Sequence, residues 1–185
     1  MHAEYREDEQ ILAAQRGDRD AFSSLYEANV DRVYRYLAAR LGQPADVEDI
    51  TTEVFIRAMQ ALPSYRIRGT PFIAWLFRIA RNQAINYFKK RERRQELPLP
   101  DNINDDPEDP EEEAMRNMLI SEVSRAMDDL TDLQKEVLSL RFAADLSVAE
   151  TAKTMNRSLN AVKFLQFSAL RALKRRVEEL GGYEE

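Results

Sequence analysis

Residues 71–94 read PFIAWLFRIARNQAINYFKKRERR. Arg78, Asn82, Asn86, Lys89 and Arg93 are spaced by four, four, three and four, so they share one face of a helix. Five positive charges, Lys89, Lys90, Arg91, Arg93 and Arg94, fall within six residues at its end. Upstream, the aromatics Tyr65, Phe72, Trp75, Phe77, Tyr87 and Phe88 are interleaved with basic residues. Aromatic rings stack on unpaired bases while Lys and Arg hold the backbone, which is the chemistry of single-stranded nucleic-acid binding. Each ring can instead serve core packing. That is the stronger expectation for Trp75, Leu76 and Phe88, which lie on or beside the apolar stripe.

A second basic block runs from Lys153 to Arg176, with seven bases and no acid. Ser147-Val148-Ala149-Glu150 is a capping box opening a short helix, SVAETAKT. The turn MNRS follows, and Ser158 can cap LNAVKFLQFSALRALKRRV. A short helix, a short turn and a longer basic helix form the helix-turn-helix pattern. In the longer helix Val162, Leu165, Ala169, Leu173 and Val177 make the stripe expected to be buried. Asn160, Lys163, Phe164, Phe167, Arg171 and Lys174 fall on the other side. Lys and Arg can neutralise phosphates or donate to guanine, and an aromatic can pack on a thymine methyl.

These blocks sit in an acidic chain of 185 residues with formal net charge -6. Ser64–Arg94 carries nine bases and one acid, whereas Glu96–Glu113 carries nine acids and no base. Charge so distributed speaks about partners, and two basic helices suggest two contacts with a polyanion. There is no cysteine, so disulfides and thiolate chemistry are excluded and a reducing, cytoplasmic setting is expected. The polar start MHAEYREDEQ is unlike a signal peptide, and no apolar run is long enough to span a membrane. The single histidine, His2, and the absence of a glycine-rich phosphate loop leave no catalytic constellation, so no enzyme activity and no cofactor is expected. Asp46, Glu48, Asp49 and Glu53 are read as a solvated or partner-facing helix face rather than a metal cluster.

The elements that must position these faces are all helical. One helix is expected over 7–17, and another after a cap at Asp20, with Phe22, Leu25, Tyr26, Val30, Val33, Tyr34 and Leu37 buried and Gly42 at its end. A third spans 44–62, burying Val47, Ile50, Val54, Ala58 and Ala61, with Asp46, Asp49 and Glu53 on another face. Thr70 as N-cap and Pro71 at the first helical position open the helix that runs to about residue 94. Residues 95–113, with four prolines, have the composition of a linker between two domains. Beyond it come a helix over 112–129 and one opened by the capping box Thr131-Asp132-Leu133-Gln134. The expected architecture is all-α: two small helical domains, 1–95 and 113–185, joined by an acidic linker over 96–112.

Five segments together carry a resemblance: AFSSLYEANVDRVYRYL, DVEDITTEVFIRAMQAL, PFIAWLFRIARNQAINYFKKRERR, LTDLQKEVLSLRF and LSVAETAKTMNRSLNAVKFLQFSALRAL. In order and spacing they resemble bacterial RNA polymerase sigma factors of the extracytoplasmic-function type, over nearly the whole chain. The resemblance implies a promoter-specificity factor without enzymatic activity. The first domain would bind the β′ clamp helices of core polymerase through Asp46, Asp49, Glu53 and Arg57. It would recognise and melt the minus-ten element through Tyr65, Arg66, Arg68, Thr70, Trp75, Arg78, Asn82, Asn86, Lys89 and Lys90. The second would read the minus-thirty-five element through Arg157, Asn160, Lys163, Phe164, Phe167 and Arg171, and sit on the β flap. An anti-sigma factor is an implied partner, and the linker would thread toward the RNA exit path. The chain departs from the family pattern at Asn86, where Asp is common, at Asn156 and Asn160, where Gly is frequent, and at Phe167-Ser168, where His-Arg is frequent. Two other readings stay open on the residues alone: a stand-alone helix-turn-helix regulator, or a polymerase-binding adaptor that does not melt DNA.

Overall fold

The structure is a computed structural model that describes residues 2–41, 43–67, 69–94, 126–127 and 129–181. Among these residues the secondary structure is helical throughout. The N-terminal helices are α1 (His2–Gln15), α2 (Arg19–Leu41), α3 (Pro44–Ala61) and α4 (Phe72–Arg94). The C-terminal helices are α5 (Asp132–Leu138), α6 (Val148–Met155) and α7 (Leu159–Gly181). The expected linker over 96–112 lies outside the described residues, as does nearly all of the helix expected over 112–129.

The starts and stops follow local chemistry. The cap of α2 is Asp18, not Asp20: its Oδ1 accepts from the N–H groups of Asp20 and Ala21 at 3.0 and 3.1 Å. Helix α4 begins one residue later than expected. Pro71 stands before it, with its carbonyl accepting from Trp75 N–H at 3.0 Å, while the Thr70 carbonyl is taken by the Tyr65 phenol. Both expected capping boxes are present, at Thr131/Gln134 and Ser147/Glu150. Ser158 Oγ accepts from Ala161 N–H at 3.2 Å, capping α7. Helix α5 does not end as an α-helix. It widens into a π turn over Ser139–Ala143, and Asp145 then turns the chain with φ 52.

The core runs through both groups of helices. Val33, Tyr36, Leu37, Val54, Leu76 and Phe77 lie at its centre on the N-terminal side, and Val137, Leu140, Leu146 and Val162 on the C-terminal side. The stripes expected for α3 and α7 are the inward ones. In α2 the expectation fails at Tyr26 and Tyr34, which are exposed, while Tyr36 is fully buried against Phe77 with ring centroids 5.5 Å apart. Tyr26 sits edge-on to Phe55 instead.

The two groups pack directly on each other. Helix α4 lies against α6, and α2 lies against the π turn that ends α5.

Candidate nucleic-acid interface

Helix α7 presents the second basic face as the spacing predicts. Val162 and Ala169 are fully buried, whereas Asn160, Lys163, Phe164, Phe167 and Arg171 are exposed, with Phe164 at 71% and Phe167 at 65%. Arg157 is exposed in the turn before the helix. Among the described residues Lys163 and Arg171 have no ion-pair partner. Further along, Lys174 pairs with Glu178 at 3.5 Å, Arg175 with Glu179 at 3.8 Å, and Arg176 with Asp129 and Glu179. Free basic charge therefore concentrates in the first four turns, beside the two exposed rings.

The turn that aims this helix is set by Asn156. It closes α6 in the left-handed conformation, φ 53 and ψ 50, which glycine adopts freely and Asn tolerates better than most residues. Ser168 faces inward, where its hydroxyl accepts from Gln134 Nε2 at 3.0 Å. So of the Phe167-Ser168 pair only Phe167 is offered to a ligand.

On α4 the polar stripe is split. Asn82, Asn86, Lys89, Lys90 and Arg93 are exposed. Arg78 is not free: its Nε and Nη2 both donate to the Lys153 carbonyl, at 2.9 and 2.6 Å. The aromatic cluster also turns inward. Tyr65, Phe72 and Trp75 form a triad with centroid separations of 5.8, 5.0 and 5.5 Å. The Tyr65 phenol donates to the Thr70 carbonyl at 2.8 Å, and burial, with Glu7 and Asp8 adding to it, pushes its pKa up to about 12. These three rings anchor the loop before α4 in this arrangement, and Arg66 and the partly exposed Thr70 lie on its outer side. Arg68 lies outside the described residues. Gln15, which the sequence did not single out, ties the same loop down by donating to the carbonyls of Leu62 and Tyr65 at 2.9 and 2.8 Å.

The acidic face of α3 is also divided. Asp49 is exposed, and Glu53 is partly so and pairs with Arg57 at 2.6 Å. Asp46 points toward α4 and accepts from the Tyr87 phenol at 2.7 Å, which raises the pKa of that phenol, behind the larger effect of its burial.

Comparison with known proteins gives this geometry a family. The description "Sigma-70 region 2" matches residues 25–94 and "Sigma-70, region 4" matches residues 126–175. The ECF RNA polymerase sigma factor SigD of Mycobacterium tuberculosis is 31% identical over 185 residues, covering 96% of this chain and 87% of its own. The chain belongs to the ECF RNA polymerase sigma factors. BldN of Streptomyces coelicolor, also named an ECF sigma factor, is 37% identical over 169 residues, and the match spans 90% of this chain but 64% of BldN. Among solved structures, CnrH in complex with the cytosolic domain of CnrY has TM-score 0.69 at 21% identity, covering 94% of this chain and 98% of its own. The sigma factor RpoE bound to the anti-sigma factor NepR from Bartonella quintana has TM-score 0.67 at 18% identity, covering 89% and 98%. At these identities the likeness is one of fold. The region 2 match ends with α4, and the region 4 match includes the helix-turn-helix. Among the described residues no helix is long and apolar enough to cross a membrane.

Proposed function

We propose that this sigma factor directs core RNA polymerase to promoters with two DNA contacts of different kind. Residues 1–95 form the unit that binds polymerase and opens the minus-ten element. Residues 113–185 form the unit that reads the minus-thirty-five element as duplex. The observation that carries this reading is the face of α7: a capped helix-turn-helix offering Asn160, Lys163, Phe164, Phe167 and Arg171 to solvent, with Lys163 and Arg171 unpaired among the described residues. Amide and guanidinium groups can read base edges, and Lys can neutralise phosphate.

On α4, Asn82, Asn86, Lys89 and Lys90 form the strip for melted DNA, with Arg66 and Thr70 at its N-terminal end. Arg78 joins that strip once its bond to the Lys153 carbonyl is released. On α3, Asp49, Glu53 and Arg57 supply the polymerase contact, with Asp46 placing the helix against α4 through Tyr87. Promoter DNA, core polymerase and an anti-sigma factor are the partners in this reading, and the setting is the cytoplasm.

Run-off transcription with core polymerase and a promoter library tests it. Transcripts should appear only with core present and should select two sequence elements. On a promoter so selected, replacing Asn82 and Lys89 by Ala should lower output from linear duplex, and a premelted bubble should restore much of it. No promoter-selective transcript with any library member would refute the reading.

A further inference from the structure

Helix α7 carries two aromatic rings that the fold does not use. Phe164 is 71% exposed and Phe167 65%, and neither belongs to the core of the described residues. Apolar residues scattered singly over a surface are ordinary. These two are not scattered. At about 100° per residue, Asn160, Lys163, Phe164, Phe167 and Arg171 fall within an arc of about 100°, opposite the buried Val162 and Ala169. Lys163 and Arg171 flank the rings along the helix, and no acid occurs in α7 before Glu178. Both rings also line one open groove with Gln134, Ser168, Arg171 and Arg175. A pair of rings between two free cations is a face for a polyanion that also offers apolar groups.

We propose that Phe164 and Phe167 read the 5-methyl groups of thymine in two adjacent A·T pairs of the minus-thirty-five element. This rests on the reading of α7 given above and names what that face selects. In a closed duplex the base faces are stacked on each other, and only the base edges are open to a protein. Along the major groove those edges present donors, acceptors and one apolar group, the thymine methyl. An aromatic ring on a groove-facing helix therefore has a single apolar counterpart, and guanine and cytosine supply none.

The spacing calls for two thymines rather than one. Positions 164 and 167 are three residues apart, a rise of about 4.5 Å along the helix axis at about 1.5 Å per residue. One base-pair step of B-DNA is about 3.4 Å. Rings on adjacent turns thus meet neighbouring pairs. Lys163 and Arg171 lie beyond the rings on either side, where long cationic side chains reach phosphates or guanine. A protein partner could also cover two exposed rings, but the free cations on both flanks favour DNA as the occupant.

Replacing thymidine by deoxyuridine tests this without touching the protein. The exchange keeps base pairing and the O4 acceptor and removes only the methyl group. Selection from a promoter library by the holoenzyme should return a minus-thirty-five element with two adjacent A·T pairs. On that promoter, deoxyuridine at either position should weaken holoenzyme binding about fourfold, the effect of exposing one buried methyl. Deoxyuridine between the two promoter elements should change nothing. In Phe164→Ala the penalty should vanish at one of the two positions, and in Phe167→Ala at the other, with core polymerase binding unchanged. Both positions are exposed, so the variants should keep the helical circular dichroism of the parent. Selective binding that ignores the methyl groups would overturn the proposal and leave the promoter reading intact. Equal deoxyuridine penalties in parent and variants would overturn it too, because the methyl would then act through the shape of the DNA. Weakened core binding in the variants would make polymerase the occupant and also overturn it. Transcription that selects no minus-thirty-five element would refute the duplex reading of α7, and this proposal with it.

Discussion

Replacing Tyr36 by Phe removes the phenol oxygen that donates to Glu136 of α5 and leaves the ring, its fully buried site and its edge contact with Phe77 in place. The lost bond runs to a carboxylate at 2.9 Å. A hydrogen bond to a charged group contributes about 1.5–3 kcal/mol. At about 2 kcal/mol, and about 2–4 °C per kcal/mol for a chain of this size, the melting temperature should fall by roughly 4–8 °C. The pH dependence has a definite sign. Burial, then the Glu136 carboxylate, raise the Tyr36 pKa well above 10.0, so the folded protein favours the neutral phenol. The stabilisation is fully present below the unfolded value near 10 and is lost as pH rises through the folded value. The difference between wild type and Tyr36→Phe should be constant from about pH 6 to 9 and shrink above about 10. Calorimetry of both proteins, with Glu136→Gln and the double variant, completes a cycle. Additive losses, or a Tyr36→Phe shift within about 1 °C, would refute the assignment of this bond as a coupling between the halves.

Other outcomes follow from single faces. Asp49→Lys with Glu53→Lys should abolish or strongly weaken pull-down of core polymerase with helix content unchanged, since the local cost of a lysine at position 53 beside Arg57 is only about 0.5 kcal/mol. Lys163→Ala and Arg171→Ala should each weaken promoter binding by the holoenzyme. A base contact would cost about 1–3 kcal/mol and relax one position of the site, whereas a phosphate contact would weaken all sequences alike and flatten the salt dependence, as selection with footprinting can tell. Asn156→Ala should destabilise the protein by about 1 kcal/mol because of its left-handed backbone, while Asn156→Gly should stay within about 0.5 kcal/mol, both measurable by denaturant melts.

What was legible in the sequence was local. Capping boxes at Thr131 and Ser147, the cap at Ser158 and the stripe Val162–Val177 involve partners within a few turns, and spacing alone determines them. The misplacements have physical reasons. Asp18 and Asp20 are both good caps two residues apart, and only the backbone decides which oxygen meets the free N–H groups. Tyr26, Tyr34 and Tyr36 compete for the inner side of α2, and the packing of α4 and α5 against it selects Tyr36. The aromatics around the start of α4 satisfied two patterns at once, base stacking and core, and the Tyr65–Phe72–Trp75 triad is closed on itself here. Arg32, Arg35, Arg40 and Arg81 went unremarked because a single arginine on a helix looks solvated until its partner, 55 to 113 residues away, is placed.

Glu136 did leave a trace. In Leu133-Gln134-Lys135-Glu136-Val137-Leu138-Ser139-Leu140 it falls three residues after Leu133 and four before Leu140, on the apolar stripe of α5. A carboxylate at such a position needs a buried cation or an escape to water, since an isolated buried charge is too costly to keep. The one base in α5, Lys135, neighbours it in sequence and so points to a different side of the helix. The stripe itself therefore calls for cations from outside the helix, and α2 and α4 supply two. Tyr36 and Arg40 of α2 and Arg81 of α4 therefore converge on one carboxylate of α5, which joins the N-terminal and C-terminal helices at position 136.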